Sequence, residues 1–142
     1  MAQIIPIEGS TFSDARGNMK FFNTFDMKAV VRFYEISPAN TEIIRGWQGH
    51  QKERKWFYCH TGAFMVQVVH IGARSSKEND IFPERFELRA NVPIILEVPA
   101  GNATAFKATE EGSKLMVFSD FTLQESIEDD LRFPLETWNV QW

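Results

Sequence analysis

Run after run of β-branched and aromatic residues, each of strand length and each closed by a turn signal, fills most of this chain. Few folds accommodate that pattern. VVRFYEISP (residues 30–38) stops at Pro38, TEIIRGW (41–47) follows, and KWFYCHTGAFMVQVVHIG (55–72) reads as two strands of a hairpin about a turn at residues 60–62. RFELRA, IILEVP, FKAT and SKLMVFSDF are further runs of the same kind, with EEG (110–112) read as another hairpin connection. Near the start, the Asp-Ala-Arg-Gly turn at 14–17 leads into an aromatic strand, whereas GARSSKENDIFPE (72–84) is polar, broken by Pro83, and reads as a loop. A series of this type predicts an all-β antiparallel sandwich or barrel. Phe64, Val66 and Val68 alternate with Met65, Gln67 and Val69, and both sets are largely apolar. One face therefore fills the interior, and the other is expected to pack on a second sheet or a second subunit, which makes a homodimer the expected assembly. QESIEDDLRF (124–133) is the one candidate helix, with Ser126 and the acidic residues as its start signal; an acidic, solvated loop is the alternative.

At 142 residues the chain is sized for one domain with a real core. Its formal charge of −4 argues against a nucleic-acid partner held by phosphate neutralisation, while local Arg and Lys residues leave an anionic small ligand open. The single Cys59 excludes an internal disulfide and suits a reducing cytosol, where it serves as a small buried side chain. No window approaches the ~20 apolar residues of a membrane span, and MAQIIPIEGS lacks a basic segment followed by a long apolar run, so a cytoplasmic protein is expected.

The chemistry is concentrated in RGWQGHQKERKWFYCHTG, residues 45–62. Counted back from Gly62, Gln48, His50 and Lys55 have the spacing of a cupin metal-binding segment, which runs Gly, five residues, His-x-His, three or four residues, Glu, six residues, Gly; Gly46 stands closer to Gln48 than the first Gly of that pattern. The second cupin segment, Pro-x-Gly-x-x-His, has its counterpart in Pro99-Ala100-Gly101-Asn102-Ala103-Thr104. Of the four ligand positions, Gln48, His50, Lys55 and Thr104, only His50 is a good metal ligand. Lys55 brings positive charge to the place of a divalent ion, so no metal and no other cofactor is expected.

A Lys beside a ketone oxygen stabilises the enolate formed when a neighbouring C–H proton leaves. A His with an ordinary pKa, ~6.5, is a suitable base for that proton. A few residues apart on paired strands, the two can point into one barrel, so Lys55 as electrophile and His50 as base form a workable pair. The alternative is structural: a hydrogen-bonded His in a turn, and a solvent-facing Lys in a charged KERK run that guards a sheet edge. His60 and His70 read as surface residues at strand ends. Asp14 and Arg16 fit a structural Asp-x-x-Gly turn, or Arg16 offers its fork to a diphosphate.

These residues resemble the RmlC-like small cupins of deoxysugar biosynthesis, the dTDP-4-dehydrorhamnose 3,5-epimerases and the dTDP-4-keto-6-deoxyhexose 3,4-ketoisomerases, including the WxcM-like group. Asp14–Gly17 matches their D-x-R-G, Arg45-Gly46-Trp47-Gln48-Gly49-His50 matches RGLHxQ and RGxHAH, and Lys55 falls at the Lys of QGKLV. Pro99-Ala100-Gly101 with Phe106 matches P-x-G-x-x-H-x-F, and the likeness runs over nearly the whole chain. The resemblance implies a jelly-roll homodimer that binds a nucleotide-linked keto-deoxysugar without metal and works through an enolate or enediol. Lys55 would face the keto oxygen, Arg16 and Arg45 would lie near the diphosphate or sugar, and Gln48 and Thr104 would orient hydroxyls. Two departures stand out. Gln48 occupies the position of the epimerase base, and the strand matching the one that bears the epimerase Tyr, residues 115–121, has none. The expectation is therefore an epimerase or 3,4-ketoisomerase, with a catalytically inactive sugar-nucleotide-binding cupin as the alternative.

Overall fold

A computed structural model describes residues 3–71 and 82–142. Two five-stranded antiparallel sheets lie face to face. One has the order β1-β9-β6-β11-β4 and the other β12-β5-β10-β7-β8, while β2 and β3 pair separately. The strands are β1 Ile5–Glu8, β2 Ser10–Asp14, β3 Gly17–Phe21, β4 Arg32–Ile36, β5 Ile44–His50 and β6 Lys55–Thr61. They continue with β7 Ala63–His70, β8 Glu84–Arg89, β9 Ile94–Val98, β10 Asn102–Ala108, β11 Lys114–Ser119 and β12 Leu131–Arg132. From β4 to β7 and again from β8 to β11 the chain changes sheet at every step, which is the jelly-roll form of the predicted sandwich. Most of the loop expected over 72–84 lies outside the described residues.

That alternation corrects two readings. The turn at residues 60–62 and the EEG connection are not hairpins: β6 pairs with β11 and β9, β7 pairs with β10 and β8, and β10 and β11 lie in opposite sheets. Nor are His50 and Lys55 on paired strands, since β5 and β6 face each other across the sandwich. Period-two alternation fixes which side chains point inward, but an arch between sheets and a hairpin within one look alike in sequence. Gly62 serves the arch: its φ is +74°, and a Cβ there would stand 2.1 Å from Ser113 Oγ.

Phe57, Cys59, Phe64, Val66, Leu96, Phe106, Leu115 and Val117 are among the side chains buried between the sheets. The outer face of the second sheet carries Trp47, Val69, Ala103 and Ala105, and it is covered by the chain's own C-terminal segment through Phe133, Trp138, Val140 and Trp142. Trp138 meets Trp47 edge-on with ring centroids 5.0 Å apart. The face expected to meet another sheet or subunit is thus occupied intramolecularly. On the first sheet the outer face is packed by residues 22–25, where Phe25 lies 5.9 Å from both Trp56 and Phe118 and Phe22 lies 5.2 Å from Tyr58.

The C-terminal alternative resolves as a helix, α1, over Leu123–Glu128. Its cap is not Ser126 but Thr122, whose hydroxyl accepts from the Glu125 N–H while Glu125 accepts from the Thr122 N–H. Ser126 lies inside the helix and is buried. Among the described residues no helix is long and apolar enough to cross a membrane.

Candidate active site

A cavity of about 310 Å³ opens between the sheets at the end closed by α1. Four strands send alternate residues into it: Arg32, Tyr34 and Ile36 from β4, Gly46 and Gln48 from β5, Lys55 and Phe57 from β6, and Thr104 and Phe106 from β10. Arg45 stands beside them, and the rim is completed by Leu123, Ser126 and Ile127 of α1 with Asp130 and Arg132. The β5–β10 register slips between Thr104 and Phe106, and there the strands press together so closely that a Cβ on Gly46 would lie 2.4 Å from Ala105 Cβ. Glycine at 46 permits that approach.

The structure therefore brings together Arg45, Gln48, Lys55 and Thr104 of the residues singled out in the sequence. His50 is buried beside them, at the next inward position of β5 after Gln48, but it does not line the cavity. Arg16 is fully exposed on the β2–β3 hairpin, where its guanidinium and its N–H both donate to the Asp14 carboxylate. Tyr58 points outward against Phe22. The KERK run is no charged edge: Glu53 and Lys55 turn inward, while Arg54 packs 4.6 Å over the Trp56 ring on the outer face.

The polar contacts in the cavity are directional. Lys55 Nζ donates to Gln48 Oε1 at 3.4 Å, and Gln48 Nε2 donates to Asp130 Oδ1 at 3.1 Å, so the amide orientation follows from its partners. Arg132 Nε donates to both oxygens of Asp130 at 2.9 and 3.0 Å. Tyr34 has the Arg32 guanidinium 5.1 Å from its ring centroid and Lys55 Nζ at 5.9 Å. Burial lowers the Lys55 ammonium to about 8, with Glu53 pulling it back up and Arg32 pushing it down. Burial also raises the Tyr34 phenol to about 12, so at neutral pH it keeps its proton and acts as a donor.

Beside the cavity, His50 Nδ1 lies 3.0 Å from the Asp129 carbonyl oxygen and 3.3 Å from Glu53 Oε1. Burial and the Lys55 charge hold its pKa below the ordinary value, against the pull of Glu53 and Asp129. Burial pushes the Asp129 carboxyl up, but the N–H groups of Glu53, Lys52 and Gln51 bind it and leave it below the usual range.

Tyr34, Arg32, Asp130, Arg132 and Ser126 were not legible as site residues. Arg32 and Tyr34 belong to an ordinary alternating strand, and the C-terminal acidic stretch carried no sign that it closes a cavity. Among the described residues no group of three or more His, Cys, Asp or Glu is placed to hold a metal ion.

No protein-family model and no curated protein matches this chain. Solved structures do. A TDP-bound 3,4-ketoisomerase from Thermoanaerobacterium thermosaccharolyticum, a double mutant, superposes with a TM-score of 0.71 at 19% identity, covering 97% of this chain and 93% of that one. An RmlC epimerase from Mycobacterium tuberculosis gives 0.80 at 19% identity over 96% and 72% of the two chains. A dTDP-4-dehydrorhamnose 3,5-epimerase from Elizabethkingia anophelis gives 0.76 at 18% over 99% and 85%. At these identities the likeness shows the fold, the RmlC-type cupin jelly roll.

Proposed function

We propose that this chain is an isomerase of a nucleotide-linked 4-keto-6-deoxy sugar, a 3,4-ketoisomerase or an epimerase, working by proton transfer next to the ketone. One observation carries the reading: a buried lysine faces a cavity that also holds a protonated tyrosine and three arginines, Arg32, Arg45 and Arg132. The ligands bound in solved structures of this fold, TDP and TDP-4-keto-6-deoxyglucose, match such a cationic cavity in charge.

In this mechanism the ketone oxygen is drawn to Lys55 Nζ, and the Tyr34 hydroxyl is a second donor. His50 removes the proton from the carbon next to the ketone. The C–H electron pair forms the new C=C bond, and the carbonyl π pair moves onto oxygen, where Lys55 stabilises it. Return of the proton to the same carbon from the other face is epimerisation. Its delivery to the former carbonyl carbon, as the neighbouring hydroxyl proton passes to the enolate oxygen and the neighbouring carbon becomes the new carbonyl, is 3,4-keto isomerisation. Gln48 and Thr104 orient hydroxyls, and Arg45 with Arg132 anchors phosphate oxygens.

Arg16 reaches a ligand in this scheme only across a subunit interface, and a homodimer is part of the proposal. Phe12 and Met19, cross-strand partners on the β2–β3 hairpin, are 53% and 61% exposed, and a two-stranded ribbon needs a surface to pack on. A cytoplasmic setting suits the free, buried Cys59.

Incubation with dTDP-4-keto-6-deoxyglucose in deuterated water, followed by NMR, tests the function. Deuterium at C3 or a new keto sugar is expected, and both should vanish in Lys55→Met. Gln48 at the place of a base and His50 set back from the cavity favour a second reading, a binding cupin without catalysis. Binding of the nucleotide sugar with no exchange would establish it.

A further inference from the structure

Glu53 is the most deeply buried carboxylate beside the cavity, 2% exposed, and the proposed chemistry leaves it without a task. A buried charge is costly unless its oxygens are satisfied, and here both are. Oε1 accepts from Ser126 Oγ at 2.6 Å and faces His50 Nδ1 at 3.3 Å. Oε2 accepts from Ser119 Oγ and, at 3.4 Å, from Arg32 Nη2. One carboxylate thus joins four elements: the imidazole at the end of β5, a cavity guanidinium on β4, the end of β11, and α1 at the rim.

The partners of His50 decide its chemistry. Nδ1 faces a backbone carbonyl and a carboxylate, which only accept, so Nδ1 carries the proton of the neutral ring. The lone pair is then on Nε2, which is buried and has no hydrogen-bond partner among the described residues. The imidazole is held as a base with its free nitrogen reserved.

We infer that Glu53 is a positioning residue, which fixes Nε2 as the basic nitrogen of His50 and ties Arg32 and α1 to the same anchor. This rests on the proposed role of His50 as base, and its test separates the two. Histidine labelled with 15N in the wild-type protein, read by long-range 1H–15N correlation at neutral pH, should show His50 protonated on Nδ1 and bare on Nε2; the opposite tautomer overturns the inference. In Glu53→Gln the two tautomers should mix and kcat should fall by about 10²-fold or more, the scale for a lost general base, while TDP affinity changes less than ~3-fold. Thr122→Ala, which removes the cap of α1 and leaves Glu53 and the cavity lining intact, should speed amide exchange in residues 123–128 and cost less than ~3-fold in kcat. Equal losses of kcat in the two variants with an unchanged His50 tautomer would overturn the inference, leaving Glu53 as a brace for the helix. If Glu53→Gln does not fold, the wild-type tautomer and Thr122→Ala still decide. Absence of deuterium exchange in the wild type would sink the catalytic reading alone, because the tautomer measurements need no turnover.

Discussion

Replacing Lys55 by methionine should stabilise the protein while abolishing its activity. Lys55 is 6% exposed, and burial brings its ammonium from the ordinary 10.5 down to about 8. The folded protein therefore holds this proton less tightly than the unfolded chain does. Below pH 8 the group is protonated in both states, and the fold bears the full cost, on the order of 3 kcal/mol at ~1.4 kcal/mol per pH unit. Between pH 8 and 10.5 the unfolded chain binds more protons, so stability recovers as pH rises; above 10.5 the cost is gone. Methionine keeps most of the length and volume without the charge. The substitution also removes a positive neighbour of Glu53, so the net gain at pH 7 should be about 1–2 kcal/mol, or ~3–8 °C in Tm. Urea denaturation of both proteins across pH 7 to 10.5 measures it, and the gap between them should close as pH rises. A variant less stable than wild type at pH 7, or a gap that does not change with pH, would refute the electrostatic reading of this lysine.

Tyr34→Phe should lower activity by about 10²-fold with TDP binding intact, since it removes one donor from the cavity and keeps the ring; isothermal titration beside the NMR assay checks both parts. Trp138→Ala should cost about 2 kcal/mol in urea, less than the roughly 3–5 of a fully buried Trp, because Trp138 is half-buried against Trp47 and Phe133. A loss under ~0.5 kcal/mol would mean that the C-terminal segment does not cover the sheet in solution. Burial raises the Cys59 thiol from 9.0 to about 11, so its thiolate is scarcer by about 100-fold than in the unfolded chain, and a thiol reagent should label the native protein correspondingly slowly.

The legible and illegible parts of the site divide along a physical line. Gln48, Lys55 and Thr104 were read as neighbours because the spacing between two glycine-marked turns restricts where each can point, and they do share the cavity. His50 matched the same spacing, yet the N–H groups of residues 51–53 bind the Asp129 carboxylate and its own Nδ1 meets the Asp129 carbonyl, which leaves it beside the cavity. No local pattern announces a contact across 79 positions. Glu53 looked like one charge in a solvated KERK run and proved to be a buried junction for the same reason.

By itself the sequence determined the strands, their inward and outward faces and the all-β class, because those follow from period-two alternation and turn chemistry within a few residues. The tertiary structure decided which strands pair, turned two apparent hairpins into arches between sheets, and covered the outer face with the C-terminal tryptophans. It also set Tyr34, Arg32 and Arg132 opposite Lys55. Pairing and convergence are settled by how two whole sheets bury their apolar faces against each other, and that free energy belongs to the assembled sandwich rather than to any one segment.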